Sequence, residues 1–333
     1  MSVQDLSKVA YVTLVMKGDA YVPGALVLGT SLRRTGTKAP LVCMVTHDVS
    51  ENAQSVLKKV YNEVVVVPYI YTPYFDMFCH KTTKYYGEMS TALLTKLNCL
   101  NLTQYDKVCL LDADLLIRRN IDDVLRLKAP AATFHNYWFE DSNLYPHMRT
   151  GDTVPCEKIQ QALTTQNSFV SQTTVLLVPT GEALFSRCRR YIDKFVQDKG
   201  PLGLQHLLKA MCNTIDDLTV CTFFSNELQK DWTYIGQEYT CIQWKDHMAD
   251  PYVYHYFHTK PWTQEETAYP DLKPWFDEAR RICEKYPDAK KFFTFVTSTD
   301  TTKHKGARDT KPYSMSYDKD IHTLLVRLQG FPF

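Results

Sequence analysis

The run Val108-Cys109-Leu110-Leu111-Asp112-Ala113-Asp114 carries an apolar strand into two carboxylates separated by one small residue. Side chains alternate along an extended chain, so Asp112 and Asp114 can point to the same side while Ala113 lets a ligand approach the backbone. Two carboxylate oxygens aimed at one point attract a hard divalent cation, and in a parallel α/β sheet ligands dock at the C-terminal strand ends. An acidic pair in such a place also serves simply to cap the following turn, so the rest of the chain must decide between the two uses. A second group with chemical potential is His255-Tyr256-Phe257-His258-Thr259-Lys260-Pro261-Trp262. Taken alone, His255 reads as a packed core histidine, because a neutral imidazole is at home in an interior when its nitrogens find partners.

The elements that would position these residues follow from apolar periodicity. Val9 to Val15 reads as a buried strand, with Asp19 at a helix N-cap position and Pro23 in the first turn of a helix to about Leu32. Leu41 to Val45 is a second strand, Ser50 caps a helix through Val60, and Glu63 to Val67 is a third strand rich in β-branched residues. This alternation predicts an α/β fold with a doubly wound, mostly parallel sheet flanked by helices. A Tyr-rich irregular stretch runs from Tyr69 to Tyr86, and Ala92, Leu93, Leu97 and Leu100 then recur at helical spacing, with Lys96 near that face. After the Asp112 strand, Asn120-Ile121-Asp122-Asp123 opens a short helix, and Ala131 to Phe134 and Thr174 to Val178 are strands. Gly181 to Val196 and Leu204 to Cys212 are predicted helices, and Val253 to Tyr256 a late strand. The chain divides into a domain over 1–262 and a C-terminal helical extension over 263–333, with a helix near Leu272 to Lys285, a polar Thr297 to Thr310 stretch expected to be mobile, and an apolar end at Leu324 to Phe333.

With 333 residues, 44% hydrophobic, and a formal net charge of +1, the chain can bury a large core and has no electrostatic footprint for nucleic acid. No apolar run reaches bilayer-spanning length, so no membrane span is expected. The polar start Met1 to Lys8 lacks the basic-then-apolar order of a secretory signal, and the 10 cysteines never pair as CxxC. Reduced, mostly buried thiols fit a cytoplasmic protein.

The order of these pieces resembles the glycogenin-like members of family 8 of the retaining glycosyltransferases, over roughly Val9 to Trp262. The resemblance is carried by Tyr11-Val12-Thr13-Leu14 with Asp19-Ala20-Tyr21 and Gly24-Ala25-Leu26-Val27-Leu28-Gly29, by Leu94-Thr95-Lys96-Leu97, by Leu111-Asp112-Ala113-Asp114 with Asn120-Ile121-Asp122, and by His255 through Trp262. Within that family, Val12 to Ser50 is most similar to the glycogenin-like proteins encoded by baculoviruses, which would place the protein in host cytoplasm. The resemblance implies a single GT-A-type domain that binds a UDP-sugar, with Mn2+ or Mg2+ held by Asp112, Asp114 and His255. The Lys-Pro-Trp that follows His255 moves that histidine from core to ligand, and Lys260 would add a positive charge at the diphosphate. By the same resemblance Leu14 and Tyr21 hold the uracil ring, Lys96 contacts the donor, and Ala113, Gln172 and Thr173 line the substrate site. Gln205 matches the family's catalytic glutamine below the sugar.

Two departures stand out. Leu202-Gly203-Leu204 occupy the place where the family carries carboxylates before that glutamine, and Leu204 accepts no hydrogen bond; Asp198 would substitute only if the Gly200-Pro201 loop folds back. Thr173 stands where the family has a glycine-containing turn and would narrow the sugar pocket. The expected activity is therefore metal-dependent, retaining transfer of glucose from UDP-glucose, and the alternative is a UDP-sugar-binding protein that has lost transfer. The acceptor is a protein or glycan, the chain itself included, with Tyr234 and Tyr239 in the corresponding region; the family also forms homodimers.

Overall fold

The computed structural model describes residues 6–71, 87–134, 148–164, 171–197, 215–242, 248–257 and 260–293. Its centre is an eight-stranded sheet in the order β3-β2-β1-β4-β8-β6-β9-β7, with β10 and β5 forming a separate two-stranded sheet. The strands are β1 (Val9–Val15), β2 (Leu41–Val45), β3 (Glu63–Val66), β4 (Lys107–Leu111), β5 (Leu115–Ile117), β6 (Ala131–Phe134), β7 (Thr153–Val154), β8 (Ser171–Pro179), β9 (Trp232–Tyr234) and β10 (Val253–His255). The helices are α1 (Val22–Arg34), α2 (Glu51–Leu57), α3 (Cys156–Thr164), α4 (Glu182–Gln197), α5 (Ile215–Thr222) and α6 (Lys273–Lys285). The described residues pack as one unit; residues 294–333, with the Thr297 to Thr310 stretch expected to be mobile and the apolar end at Leu324 to Phe333, lie outside the described residues.

The mostly parallel, doubly wound sheet is present. β1 runs parallel to β2 and β4, and β2 parallel to β3, so the N-terminal half is the expected β-α-β-α-β unit. Every residue of β2 is buried, as a strand covered on both faces requires. Residues of β1 alternate between two cores: Val9, Tyr11 and Val15 face α1, α2 and α6, while Ala10 and Val12 face the layer that contains α4 and α5. The expected Thr174 strand is longer, and it enters antiparallel between β4 and β6, so this half of the sheet departs from the parallel order.

Local readings differ in instructive ways. Asp19 does not cap α1, because the Lys17-Gly18 turn, with φ of 59° and 76°, delays the helix to Val22. Its carboxylate instead accepts from Ser50 N at 2.9 Å and Ser50 Oγ at 2.6 Å, while Ser50 Oγ caps α2 by accepting from Ala53 N at 3.1 Å. Thus α2 is fixed to the β1–α1 loop by one carboxylate, and it ends at Leu57, short of Val60. The predicted helix around Lys96 is a 3-10 helical segment, Gly87–Asn101. A three-residue repeat stacks Leu94, Leu97 and Leu100 above one another, and all three are buried in the second core.

At the other end, α6 lays Trp275, Phe276, Ala279 and Ile282 into the same core as Leu26 and Leu28 of α1. Glu278, buried on that helix, receives Arg34 Nε at 3.1 Å and Arg281 Nη1 at 3.0 Å, which ties the two helices electrostatically. Trp275 is 1% exposed, so Trp275→Ala is expected to lower the unfolding free energy by about 3–5 kcal/mol in urea denaturation. A loss below about 1 kcal/mol would mean that α6 only covers the surface.

Candidate functional site

The site forms where β4 leaves the sheet. Asp112 N donates to Thr174 O at 3.1 Å, extending the β4–β8 pairing by one residue, and the chain turns at Ala113-Asp114 into β5. β5 pairs antiparallel with β10, placing His255 opposite Leu115, and Tyr256 N donates to Asp114 O at 3.1 Å. This short ladder brings two residues far apart in sequence side by side: His255 Nε2 lies 3.6 Å from Asp114 Oδ1. One ligand atom from each of Asp112, Asp114 and His255 lies within 4.8 Å of the others.

Asp114 is buried. Lys260 Nζ donates to its Oδ2, and also to Tyr256 O at 3.1 Å and Phe257 O at 2.7 Å. Burial pushes the Asp114 carboxyl upward, but the Lys260 ammonium and His255 outweigh it and hold the carboxyl below its ordinary value. Burial likewise lowers Lys260, and Asp114 more than reverses this, keeping the ammonium protonated. Asp114 Oδ1 is a buried oxygen with no hydrogen-bond partner among the described residues. Two hard carboxylates and an imidazole suit a divalent cation of the Mn2+ or Mg2+ type, and the vacant oxygen faces the histidine that would share it. These residues therefore fit one ion.

Asp112, less buried, accepts from Lys96 Nζ at 3.0 Å. Lys96 Nζ also donates to Thr173 Oγ1 at 3.0 Å. Thr173 in turn donates to Asp217 Oδ1 of α5, from its N at 2.7 Å and its Oγ1 at 2.8 Å. On the other side, Tyr21 meets Trp262 edge to face at 5.3 Å between ring centroids, and Lys260 Nζ lies 6.0 Å above the Tyr21 ring. A Cβ on Gly24 would meet Trp262 ring atoms at 2.7 Å and also collide with Ala113 O, so α1 can approach the acidic turn only because residue 24 is glycine.

The expected residues Asp112, Asp114, His255, Lys260, Lys96 and Thr173 are thus joined by direct contacts, and Tyr21 and Ala113 border them. Gln172 is buried beside Thr173 on β8, and Leu14 is partly buried near the end of β1. Gln205, Leu204, Asp198 and His258 lie outside the described residues. Tyr239 is buried, donates to Asp123 Oδ2 and stacks on Tyr252 at 4.9 Å; Tyr234 is buried along a cavity of about 310 Å³ lined also by Arg149, Thr150 and Glu238. The sequence reading missed Asp217, although the doublet Asp216-Asp217 ahead of the apolar Leu218 to Val220 is a helix-opening signal. It also missed β5, whose three residues are too few for periodicity to register.

This architecture has known counterparts. The fold matches the galactosyltransferase LgtC, solved in complex with donor and acceptor sugar analogues, with a TM-score of 0.51 and 14% identity over 87% of this chain and 98% of that one. It is the GT-A glycosyltransferase fold. No family model matches the sequence. Uncharacterized protein R707 of Acanthamoeba polyphaga mimivirus is 30% identical over 270 residues, covering 75% of this chain and 92% of the relative. Human glycogenin-1 is 42% identical over 115 residues, 34% of this chain and 31% of glycogenin-1, so this chain spans less than a third of that relative's length. The chain belongs to the family of the mimivirus protein, and its homology to glycogenin makes that family glycosyltransferase-like. No helix among the described residues is long and apolar enough to cross a membrane.

Two outcomes follow from this packing. Gly24→Ala is expected to cost about 1–3 kcal/mol in chemical denaturation, because neither the Ala113 carbonyl nor the wedged indole can retreat freely. A carboxyl lowered by folding contributes stability above its unfolded value of about 3.9, and that contribution disappears as pH falls through the lower folded value. Asp114→Asn is expected to start less stable at neutral pH and to lose less between pH values of about 4 and 2 than the parent does, measured by denaturation midpoints across pH.

Proposed function

We propose that the protein is a divalent-metal-dependent, retaining glycosyltransferase that moves glucose from UDP-glucose to an acceptor. The observation that carries this is the convergence of Asp112, Asp114 and His255 within 4.8 Å, with Lys96 on one side and Lys260 on the other. A bound Mn2+ or Mg2+ would neutralise charge on the departing diphosphate. Lys260, protonated and buried against Asp114, supplies a fixed positive charge for the same oxygens at no reorganisation cost. Tyr21, held edge-on by Trp262, offers a ring face to the uracil, and Leu14 an apolar wall. Gln205 is assigned to the sugar by the family resemblance, as are Gln172 and the Ala113 backbone.

Leu204 and Thr173 raised the alternative of a binding protein without transfer; Leu204 lies outside the described residues, and Thr173 is hydrogen-bonded into a line of polar groups from Asp217 to Asp112. A threonine so employed favours a working site. Kinship with the baculovirus-encoded glycogenin-like proteins, a host-cytoplasmic location and a homodimer belong to the same reading, as does the domain division at residue 262. The acceptor is a protein or glycan; Tyr239, whose hydroxyl is committed to Asp123, is a poor candidate for self-modification.

The test is UDP release from UDP-glucose with manganese. Turnover is expected in the parent and a loss of at least about 100-fold in Asp112→Asn, which keeps the shape but removes the charge. Tight UDP binding without turnover of any UDP-sugar would overturn transfer.

A further inference from the structure

Four elements meet in one hydrogen-bonded line beside the acidic turn: α5 through Asp217, β8 through Thr173, the 3-10 segment through Lys96, and the end of β4 through Asp112. A threonine hydroxyl has a single hydrogen. Here that hydrogen goes to Asp217 Oδ1 at 2.8 Å, while the Thr173 amide donates to the same oxygen at 2.7 Å. The Thr173 oxygen therefore faces Lys96 with its lone pairs, and accepts from Nζ at 3.0 Å. Lys96 is buried, so its ammonium depends on protein acceptors, and Asp112 Oδ1 at 3.0 Å is another of them.

We propose that Asp217 is a positioning residue for Lys96: by fixing the Thr173 hydroxyl as an acceptor, it keeps the ammonium at the donor site when Asp112 turns its charge to a cation. This rests on the functional reading above. Without Asp217 the Thr173 hydroxyl loses the acceptor that holds its hydrogen away from Lys96, and its lone pairs are no longer fixed on the ammonium. The ammonium then leans on Asp112 and competes there with the metal. Asp217 thus acts on the donor through two intermediaries, and its effect must vanish when the lysine is absent.

That dependence can be measured without turnover, by calorimetric titration of UDP in the presence of manganese. Asp217→Leu is expected to weaken UDP binding about tenfold, the scale of one lost charge-assisted hydrogen bond. Asp217→Asn, whose amide oxygen still accepts from Thr173, is expected to recover most of that loss. In a Lys96→Met background, Asp217→Leu should cost less than about twofold, because interacting residues are not additive. An equal, additive loss with and without the lysine would overturn the proposal, as would an Asn variant no better than Leu. Should Asp217→Leu fail to fold, Thr173→Val replaces it in the same cycle against Lys96→Met: a loss that needs the lysine supports the proposal, and an additive loss overturns it. A parent chain that binds no UDP with manganese would overturn the functional reading first, before any variant is compared, and the lysine's role with it.

Discussion

A carboxylate with almost no water around it must be answered by positive charge, and Asp114 sets that demand at the centre of this fold. The answer comes from β10 and the residues after it, where Lys260 closes on one oxygen while His255 stands near the other. To deliver both, the chain builds the β5–β10 ladder outside the main sheet, and the Tyr256 amide bonds the Asp114 carbonyl to lock the alignment. Sliding that ladder by one residue would turn His255 to the opposite face, because successive side chains alternate. The large sheet is thus the platform, and the small one is the adjuster.

The rest of the molecule supports this arrangement from two directions. From one face, α1 presses Gly24 against the Ala113 carbonyl, and Trp262 fills the gap between Tyr21 and the α6 core residue Trp275, 5.9 Å away between ring centroids. From the other, Leu94, Leu97 and Leu100 seat the segment that brings Lys96 to Asp112. Side chains of the candidate site and side chains that only pack are therefore neighbours along the same few elements.

Much of this was legible in the residues. The all-apolar Leu41–Val45 announced a strand buried on both faces because nothing polar interrupts it. The β-branched Glu63 to Val67 run, also read as suited to a buried sheet, instead forms the partly exposed edge strand β3, with Val66 58% exposed. Asp112, Asp114 and His255 were legible as a candidate metal cluster because few residue types can hold a hard cation. Features set by contacts distant in sequence were not legible. The three-residue β5 exists only as a partner for β10, and β8 reverses direction without any local sign. Asp19 has the composition of a cap, yet its partner is Ser50, which only the tertiary arrangement reveals. Asp217 belongs to the same class: an ordinary acidic residue until Thr173 is seen against it.

The Lys96–Asp112 pair has a further consequence for the order in which the site fills. With an ammonium already on Asp112 and another on Asp114, the acidic turn is internally balanced, so a lone metal ion gains little by displacing them. On the proposed reading, a diphosphate arriving with its own negative charge would share Lys96 and free Asp112 for the ion, while Lys260 stays fixed on Asp114 Oδ2. On that reading, ion and nucleotide are expected to load as a pair, the nucleotide drawing Lys96 from the carboxylate that the ion takes up.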